Sequence, residues 1–114
     1  RARFGIQNLE VFAGQAPADL AKLAPAPDRV LLEVGRPLGD VLRAVWDAMA
    51  PAGRLVISTT SLEGLVDATD HLGQLAANDV QVSQTTVHRM VRRSNQTRLA
   101  AAEPLFVIAA ERHP

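Results

Sequence analysis

Positive charge concentrates in one segment late in the chain. Between Val80 and Ala102 the chain has no acidic residue. The arginines of this segment are Arg89, Arg92, Arg93 and Arg98. Guanidinium groups form paired hydrogen bonds with carboxylates, so one hypothesis is a site for a polycarboxylate ligand. A solvated hairpin connection and a nucleic-acid contact are the alternatives. The segment lacks the aromatic rings on which single-stranded nucleic acids stack, which weighs against the latter.

A second candidate site lies in the loop after a predicted strand. Apolar and polar residues alternate over 8–13, as is typical of a β-strand, and Gly14, Gln15 and Ala16 follow. Ligands of open α/β sheets bind beyond the carboxyl ends of the strands, so these three residues are candidate ligand contacts. The alternative is an ordinary strand-to-helix turn.

A third candidate site ends the next predicted strand. The apolar run 29–34 is bounded by turn residues and predicts a strand covered on both faces. Glu33, Gly35 and Arg36 lie at its carboxyl end, at the sheet edge where the second site is also expected. The alternative is a structural ion pair between Glu33 and Arg36 or another neighbour.

The sequence offers little support for other chemistries. It has no cysteine, which excludes disulfides and thiolate catalysis. His71, His88 and His113 are scattered, with no second type of ligand grouped around them, so no metal site is predicted. No Ser-His-Asp arrangement is recognisable. The hydroxyl residues at 58–61 are candidates to line a pocket at a strand end.

Hydrophobic periodicity predicts alternating strands and helices. Strands are predicted at 8–13, 29–34, 55–60, 80–87 and 105–109, and helices at 17–23, 38–49 and 62–75. Such an alternation indicates an α/β fold with a mainly parallel sheet. The last two strands have no helix between them, so they should pair antiparallel.

Four local features complete the predicted fold. Ser61 is expected to cap the start of the third helix, and Asn78 to end it in the left-handed conformation. Segment 94–102 is predicted to be a connection. Trp46 falls near the polar side of its helix, so it is expected to cover the helix surface or to pack at an oligomer contact.

Composition indicates one soluble globular domain. The chain has 114 residues, 47% of them hydrophobic and 21% charged. Its twelve basic and twelve acidic residues balance, so no global attraction to nucleic acid or to a membrane is expected. No apolar run approaches the roughly 20 residues of a membrane helix. With no signal-peptide pattern, the expected location is the cytoplasm.

Several short motifs resemble one family of class I methyltransferases. They are Asn8-Leu9-Glu10-Val11 with Gly14-Gln15-Ala16-Pro17, Ala50-Pro51-Ala52-Gly53-Arg54-Leu55-Val56, Thr60-Ser61-Leu62-Glu63, Thr97-Arg98-Leu99, and Glu103-Pro104-Leu105-Phe106-Val107-Ile108. The second motif is common to many methyltransferases, whereas its combination with the last two is more specific. Together they resemble the C-terminal, decarboxylase-type domain of the decarboxylating precorrin-6Y C5,15-methyltransferase family.

This resemblance implies a fold, a cofactor and a substrate. The fold is α/β, a partial Rossmann-like class I methyltransferase sheet, mostly parallel with a reversed C-terminal strand, in one domain over 1–114. S-adenosylmethionine is the implied cofactor, and its implied contacts are Gly14, Gln15, Ala16, Glu33 and Gly35. The implied substrate is a precorrin, a tetrapyrrole with acetate and propionate arms. Its implied contacts are Arg36, Arg89, Arg92, Arg93 and Arg98.

The chain also departs from the family pattern. The glycine-rich cofactor loop of the family is expected upstream of Arg1, and Gln15 replaces the usual aspartate. Arg36-Pro37 interrupts a stretch that is glycine-rich in the family. These departures favour an alternative, a non-catalytic oligomeric module that has lost cofactor binding.

Without the upstream strands, the strand at 30–34 should be a bare apolar edge. Such edges pair with other chains, so a dimer or larger homo-oligomer is expected.

Overall fold

The computed structural model of the chain describes residues 5, 7–10, 18–20, 24–33 and 38–114. The predicted helix at 17–23 lies largely outside these ranges, as does the second half of the strand predicted at 8–13. The described part of that strand, Asn8 to Glu10, is irregular and exposed. The candidate contacts outside the described residues are Gly14, Gln15, Ala16, Gly35 and Arg36.

The described chain forms six strands and two helices. In chain order they are β1 (Arg29–Glu33), α1 (Leu38–Ala48), β2 (Arg54–Thr59), α2 (Leu62–Gln74), β3 (Asn78–Thr85), β4 (His88–Arg93), β5 (Gln96–Ala101) and β6 (Leu105–Glu111). One sheet has the order β1-β2-β6-β3, and β4 pairs with β5 in a second sheet. Strands β1 and β2 are parallel, while β6 runs antiparallel to both β2 and β3. The α/β fold with a reversed C-terminal strand is confirmed. The prediction of a mostly parallel sheet is wrong for the described strands, because β6 inserts antiparallel between β2 and β3 and leaves β1–β2 as the one parallel pair described.

The core lies on one face of the four-stranded sheet, beneath the two helices. Every second residue of β2 and of β6 is buried there, including Leu55, Ile57 and Ile108. Leu42 of α1 and Leu72 of α2 are also fully buried and belong to the same cluster. Burying each such side chain contributes about 1.5–3 kcal/mol, so this layer is what holds the helices on the sheet.

The opposite face of the sheet is open in the part of the chain that the structure describes. Leu31 of β1 points to this face and is 71% exposed, and Val56 beside it is only half-buried. β1 is also the last strand of the sheet on its side. The described sheet therefore has an uncovered apolar face next to an unpaired edge.

The prediction that 94–102 is a connection is wrong, because most of it is strand β5. β4 and β5 pair antiparallel around Ser94 and Asn95, whose φ angles are 44° and 66°. Positive φ at both central residues is typical of type I′ turns, whose twist suits a hairpin. Almost every residue of this hairpin is exposed, so the sequence lacks the contrast between a buried and a solvated face that reveals a strand.

Helix α2 ends in a left-handed residue, but the prediction that this residue is Asn78 is wrong. Ala76 has a φ of 52°, and its amide donates to the carbonyl of Gly73 at 3.1 Å. The amide of Ala77 donates to Leu72, also at 3.1 Å, which completes a Schellman motif. Asn78 is the first residue of β3. Residue type was misleading here, since alanine adopts this conformation at a cost of about 1–2 kcal/mol.

Trp46 lies in the core, contrary to the prediction from its place on the helix. Its side chain is only 6% exposed and belongs to the buried cluster. Trp46 lines a cleft together with Arg112 and His113 of the C-terminal tail. The guanidinium of Arg112 donates to the carbonyl of Met49, which fixes the tail beside α1. The helical pattern could not predict that the C-terminal tail lies beside Trp46, since the tail is distant in sequence.

The start of α2 is locked by close packing on the end of β2. Ser61 caps the helix as predicted, because its hydroxyl accepts a hydrogen bond from the amide of Gly64 at 3.0 Å. The hydroxyl of buried Thr59 accepts from the amide of Ser61 at 3.3 Å. A Cβ at position 64 would collide with that Thr59 hydroxyl. Gly64 is therefore required by the approach of strand and helix, whereas Gly73 has nothing within 4 Å of its Cβ direction.

Alanine substitutions at the two glycines of α2 should have opposite effects on stability. Gly64→Ala should lower the free energy of unfolding by about 1–3 kcal/mol, because the turn must shift to relieve overpacking. Gly73→Ala should raise it by about 0.4–1 kcal/mol, because the helix keeps its geometry and the unfolded chain loses freedom. Urea unfolding followed by circular dichroism would measure both. A Gly64→Ala protein as stable as Gly73→Ala would contradict the packing argument.

Candidate functional site

A polar cleft lies at the carboxyl ends of the two parallel strands. Glu33 ends β1 and is the register partner of Ser58 in β2, so the two residues lie side by side. The cleft has a volume of about 330 Å³. Its lining residues are Glu33, Ser58, Thr59, Thr60, Ser61 and Leu105. The four hydroxyl residues match the prediction that 58–61 lines a pocket. Leu105 was not predicted, because its place in an apolar strand indicates only a core residue.

The hydroxyl side of the cleft is a rigid turn. Thr59 is buried and holds the amide of Ser61, while Ser61 caps α2. Ser58 is half-buried, and Thr60 and Ser61 are exposed at the rim. Because the turn is fixed from below by Thr59 and Gly64, its exposed hydroxyls are held in place before any ligand arrives. Hydroxyls both donate and accept hydrogen bonds, so this rim can bind hydroxyl, amine or carboxylate groups.

Glu33 supplies the negative charge of the cleft. Its side chain is exposed and makes no hydrogen bond or ion pair with any other described residue. A carboxylate accepts hydrogen bonds through both oxygens, so Glu33 can hold an ammonium or hydroxyl group of a ligand. The alternative role, an ion pair with Arg36, stays a prediction because Arg36 lies outside the described residues.

The arginine-bearing hairpin rises from the same edge of the sheet. β6 is antiparallel to both β2 and β3, so β2 and β3 point in the same direction. The last residue of β3, Thr85, pairs with Leu105, which lines the cleft. Just beyond, the amide of Ala102 donates to the carbonyl of Val87 at 2.9 Å and joins the base of the hairpin. The hairpin β4–β5 therefore begins beside the cleft and extends away from it.

The structure brings the four predicted arginines together on this hairpin, but not on one face. Residues directly opposite each other in an antiparallel pair share a face, and faces alternate along each strand. This register places Arg89, Arg93 and Arg98 on one face. Arg92 lies on the other face, opposite Thr97. The sequence could not show this division, because it depends on the register between the two strands.

The described residues also line three further clefts, all away from this edge. One lies between α1 and α2, where the Nε2 atom of His71 would be 2.6 Å from a Cβ at Gly39. Another lies beside the C-terminal tail and contains Trp46 and His113. The third, of about 370 Å³, lies at Leu31 on the open face of the sheet. None of the three contains a residue predicted to contact cofactor or substrate.

Within residues 5, 7–10, 18–20, 24–33 and 38–114, no three side chains of the His, Asp or Glu type come together as a metal site would require. No described helix has the length and apolar character needed to cross a bilayer.

Comparison with known proteins gives a consistent family. The model of the precorrin methyltransferase domain family matches residues 1–108. A probable cobalt-precorrin-6B C(15)-methyltransferase (decarboxylating) of Pyrobaculum calidifontis is 31% identical over 109 residues, covering 95% of this chain and 55% of that protein. A relative with the same description from Saccharolobus solfataricus is 23% identical, covering 96% of this chain and 56% of that protein. This chain thus spans about half the length of these relatives.

Solved structures agree with this assignment. The precorrin-6y C5,15-methyltransferase of Geobacter metallireducens matches with a TM-score of 0.73 and 26% identity, over 85% of this chain and 51% of that one. The precorrin 8w decarboxylase of Methanobacterium thermoautotrophicum matches with a TM-score of 0.79 and 25% identity, over 96% of this chain and 59% of that one. Because the family model covers nearly the whole chain, this protein belongs to the precorrin methyltransferase domain family.

Proposed function

We propose that the chain supplies the C-terminal half of a decarboxylating precorrin methyltransferase that uses S-adenosylmethionine. The observation that supports this most directly is the shared edge. The polar cleft at Glu33 and the arginine hairpin lie at the same end of a sheet that matches this family. Open α/β sheets bind their ligands at this end of the strands.

The relatives suggest the substrate class. Their names describe methyl transfer to a precorrin or cobalt-precorrin with decarboxylation. A precorrin carries several carboxylate arms, and arginine is the side chain best suited to hold carboxylates. The three hairpin arginines that share one face, Arg89, Arg93 and Arg98, together with Arg36, are the proposed substrate contacts, and Arg92 on the other face is not retained among them. The hairpin has no lysine and no further arginine.

The described residues fit one end of the proposed cofactor. When bound, S-adenosylmethionine supplies the methyl group that is transferred. The Glu33 carboxylate fits the ammonium group of its methionine end, and the hydroxyls of Ser58 and Thr60 fit polar groups nearby. The proposed adenine contacts are Gly14, Gln15 and Ala16, with Gly35 near the methionine end. A cleft of about 330 Å³ is at the lower limit for a ligand of this size, so further residues must complete the site.

This half of the enzyme is proposed to act by positioning. The Thr59–Ser61 turn holds the hydroxyl rim rigid, and the hairpin provides charge at a distance from it. Holding two reactants in the correct geometry can contribute several kcal/mol to lowering a barrier. No described residue is assigned as a catalytic acid or base.

A second candidate function is a non-catalytic oligomeric module. The open sheet face and the β1 edge, with Leu31 71% exposed, favour this reading. Both features are places where another polypeptide segment can pair or pack. Titration of S-adenosylhomocysteine separates the two candidates, whereas light scattering tests the oligomer that both allow.

Titration of S-adenosylhomocysteine into the chain tests the cofactor site. Isothermal calorimetry should show saturable one-to-one binding at micromolar affinity. Glu33→Gln should weaken it about tenfold, because a hydrogen bond to a charged group is lost. Asp70→Asn, an exposed change on α2, is the matched control and should bind like the parent. No heat up to millimolar ligand would contradict the proposal for this chain and favour the oligomeric module.

Light scattering tests the β1 edge. The chain should elute as a dimer or larger species at tens of micromolar concentration. Leu31→Lys should shift it towards the monomer, because lysine on an edge strand opposes pairing with another chain. Leu62→Lys is the control, since Leu62 is also exposed but lies on α2. A monomeric parent chain would overturn the prediction of an oligomer.

A further inference from the structure

The hairpin β4–β5 carries a concentrated positive face. Arg98 in β5 lies opposite Val91 in β4, and the residues diagonal to it on the same face are Arg89 and Arg93. Diagonal neighbours in an antiparallel pair are about 7–8 Å apart, within reach of long side chains. The three guanidinium groups therefore share one surface, with only Val91, Gln96 and Ala100 between and beside them.

No described carboxylate forms an ion pair with this face. All twelve acidic residues lie outside 80–102, and all of them are among the described residues. The described ion pairs are Arg43–Asp47 on α1 and Arg54–Glu111 in the main sheet. None of the hairpin arginines pairs with a described side chain. Like charges on one face of a strand pair repel, so the hairpin is arranged to receive anions from elsewhere.

The opposite face of the hairpin has a different character. Met90 and Leu99 are register partners there and are 74% and 70% exposed. Arg92 shares this face with them, two residues along β4 from Met90. A ligand held by the positive face is therefore out of reach of Arg92, although that arginine is adjacent to Arg93 in sequence.

We infer that Arg89, Arg93 and Arg98 form a carboxylate-binding face that holds two or more acid arms of one tetrapyrrole, and that Arg92 takes no part. The identity of the ligand rests on the proposed function, whereas the division of the arginines rests on the register of the hairpin. Guanidinium groups that project from neighbouring positions of one face can each hold a separate carboxylate of one rigid ring. Because the base of the hairpin lies beside Leu105, a tetrapyrrole ring bound to this face would lie near the polar cleft.

Charge and composition favour a polycarboxylate over a nucleic acid as the occupant. A single-stranded nucleic acid gains much of its affinity by stacking on aromatic side chains. The hairpin has no phenylalanine, tyrosine or tryptophan. The chain as a whole is neutral, so the positive face is local and small rather than a long basic track.

Fluorescence titration of uroporphyrin, a tetrapyrrole with acetate and propionate arms, into the full chain tests the inference. The parent chain should bind saturably, with an affinity that falls as salt rises. Arg98→Gln should weaken binding about tenfold or more, because charge-assisted hydrogen bonds are lost. Arg92→Gln is the matched control, being the same change in the same hairpin, and should stay within about twofold of the parent.

A second variant, a fold measurement and a cationic ligand complete the experiment. Arg89→Gln serves as a second positive-face variant, and far-ultraviolet circular dichroism verifies that each variant keeps the parent's fold. A porphyrin with quaternary ammonium groups should not bind. Equal losses in Arg92→Gln and Arg98→Gln would overturn the inference, as would tighter binding of a single-stranded oligonucleotide or no uroporphyrin binding by the parent chain. The S-adenosylhomocysteine titration judges the proposed enzyme separately, since it does not involve the hairpin.

Discussion

Strand β6 lies between β2 and β3 and runs antiparallel to both, and the remaining described structure depends on this insertion. Its buried residues Phe106, Ile108 and Ala110 form the centre of the core beneath the helices. Because helix α2 carries the chain back before β3 begins, β3 and β2 point the same way although they are not neighbours. The chain leaving β3 therefore emerges at the end of the sheet that holds the cleft.

Because β2 and β3 point the same way, the polar cleft and the arginine hairpin lie at the same edge of the sheet. The cleft is small, hydroxyl-rich and anionic at Glu33, and it is built on a turn locked by packing of Thr59 against Gly64. The hairpin is long, exposed and cationic, and it is held to the body through Val87, Ala102 and the β3–β6 pairing. A rigid cleft beside a charged arm suits a ligand with a polar reactive part and several acidic substituents.

The open face of the sheet leaves apolar side chains exposed to water, and the described helices and strands do not cover them. Leu31 and Val56 present apolar surface to the side that α1 and α2 do not cover. Exposed apolar area of this kind is stabilised when another segment or chain covers it. The same surface bears on both candidate functions, because it can complete an enzyme or form an oligomer.

Sequence alone was sufficient for the elements whose burial is periodic. The runs at 29–34 and 55–60, the helical spacing from Leu38 to Met49 and the cap at Ser61 each correspond to an observed element. The expectation that the first run is covered on both faces is not met in the described structure, where Leu31 is 71% exposed. The motif at 50–56 indicated the family only in combination with those at 97–99 and 103–108, since many methyltransferases carry the first motif.

Only the tertiary structure decided the features that depend on contacts between distant segments. Trp46 is buried beside a tail that is far along the chain, and Gly64 is required by a hydroxyl that belongs to another element. The β4–β5 hairpin escaped prediction because neither of its faces is buried. The separation of Arg92 from Arg98 is a matter of strand register, and no local pattern of residues fixes register when both faces are exposed to water.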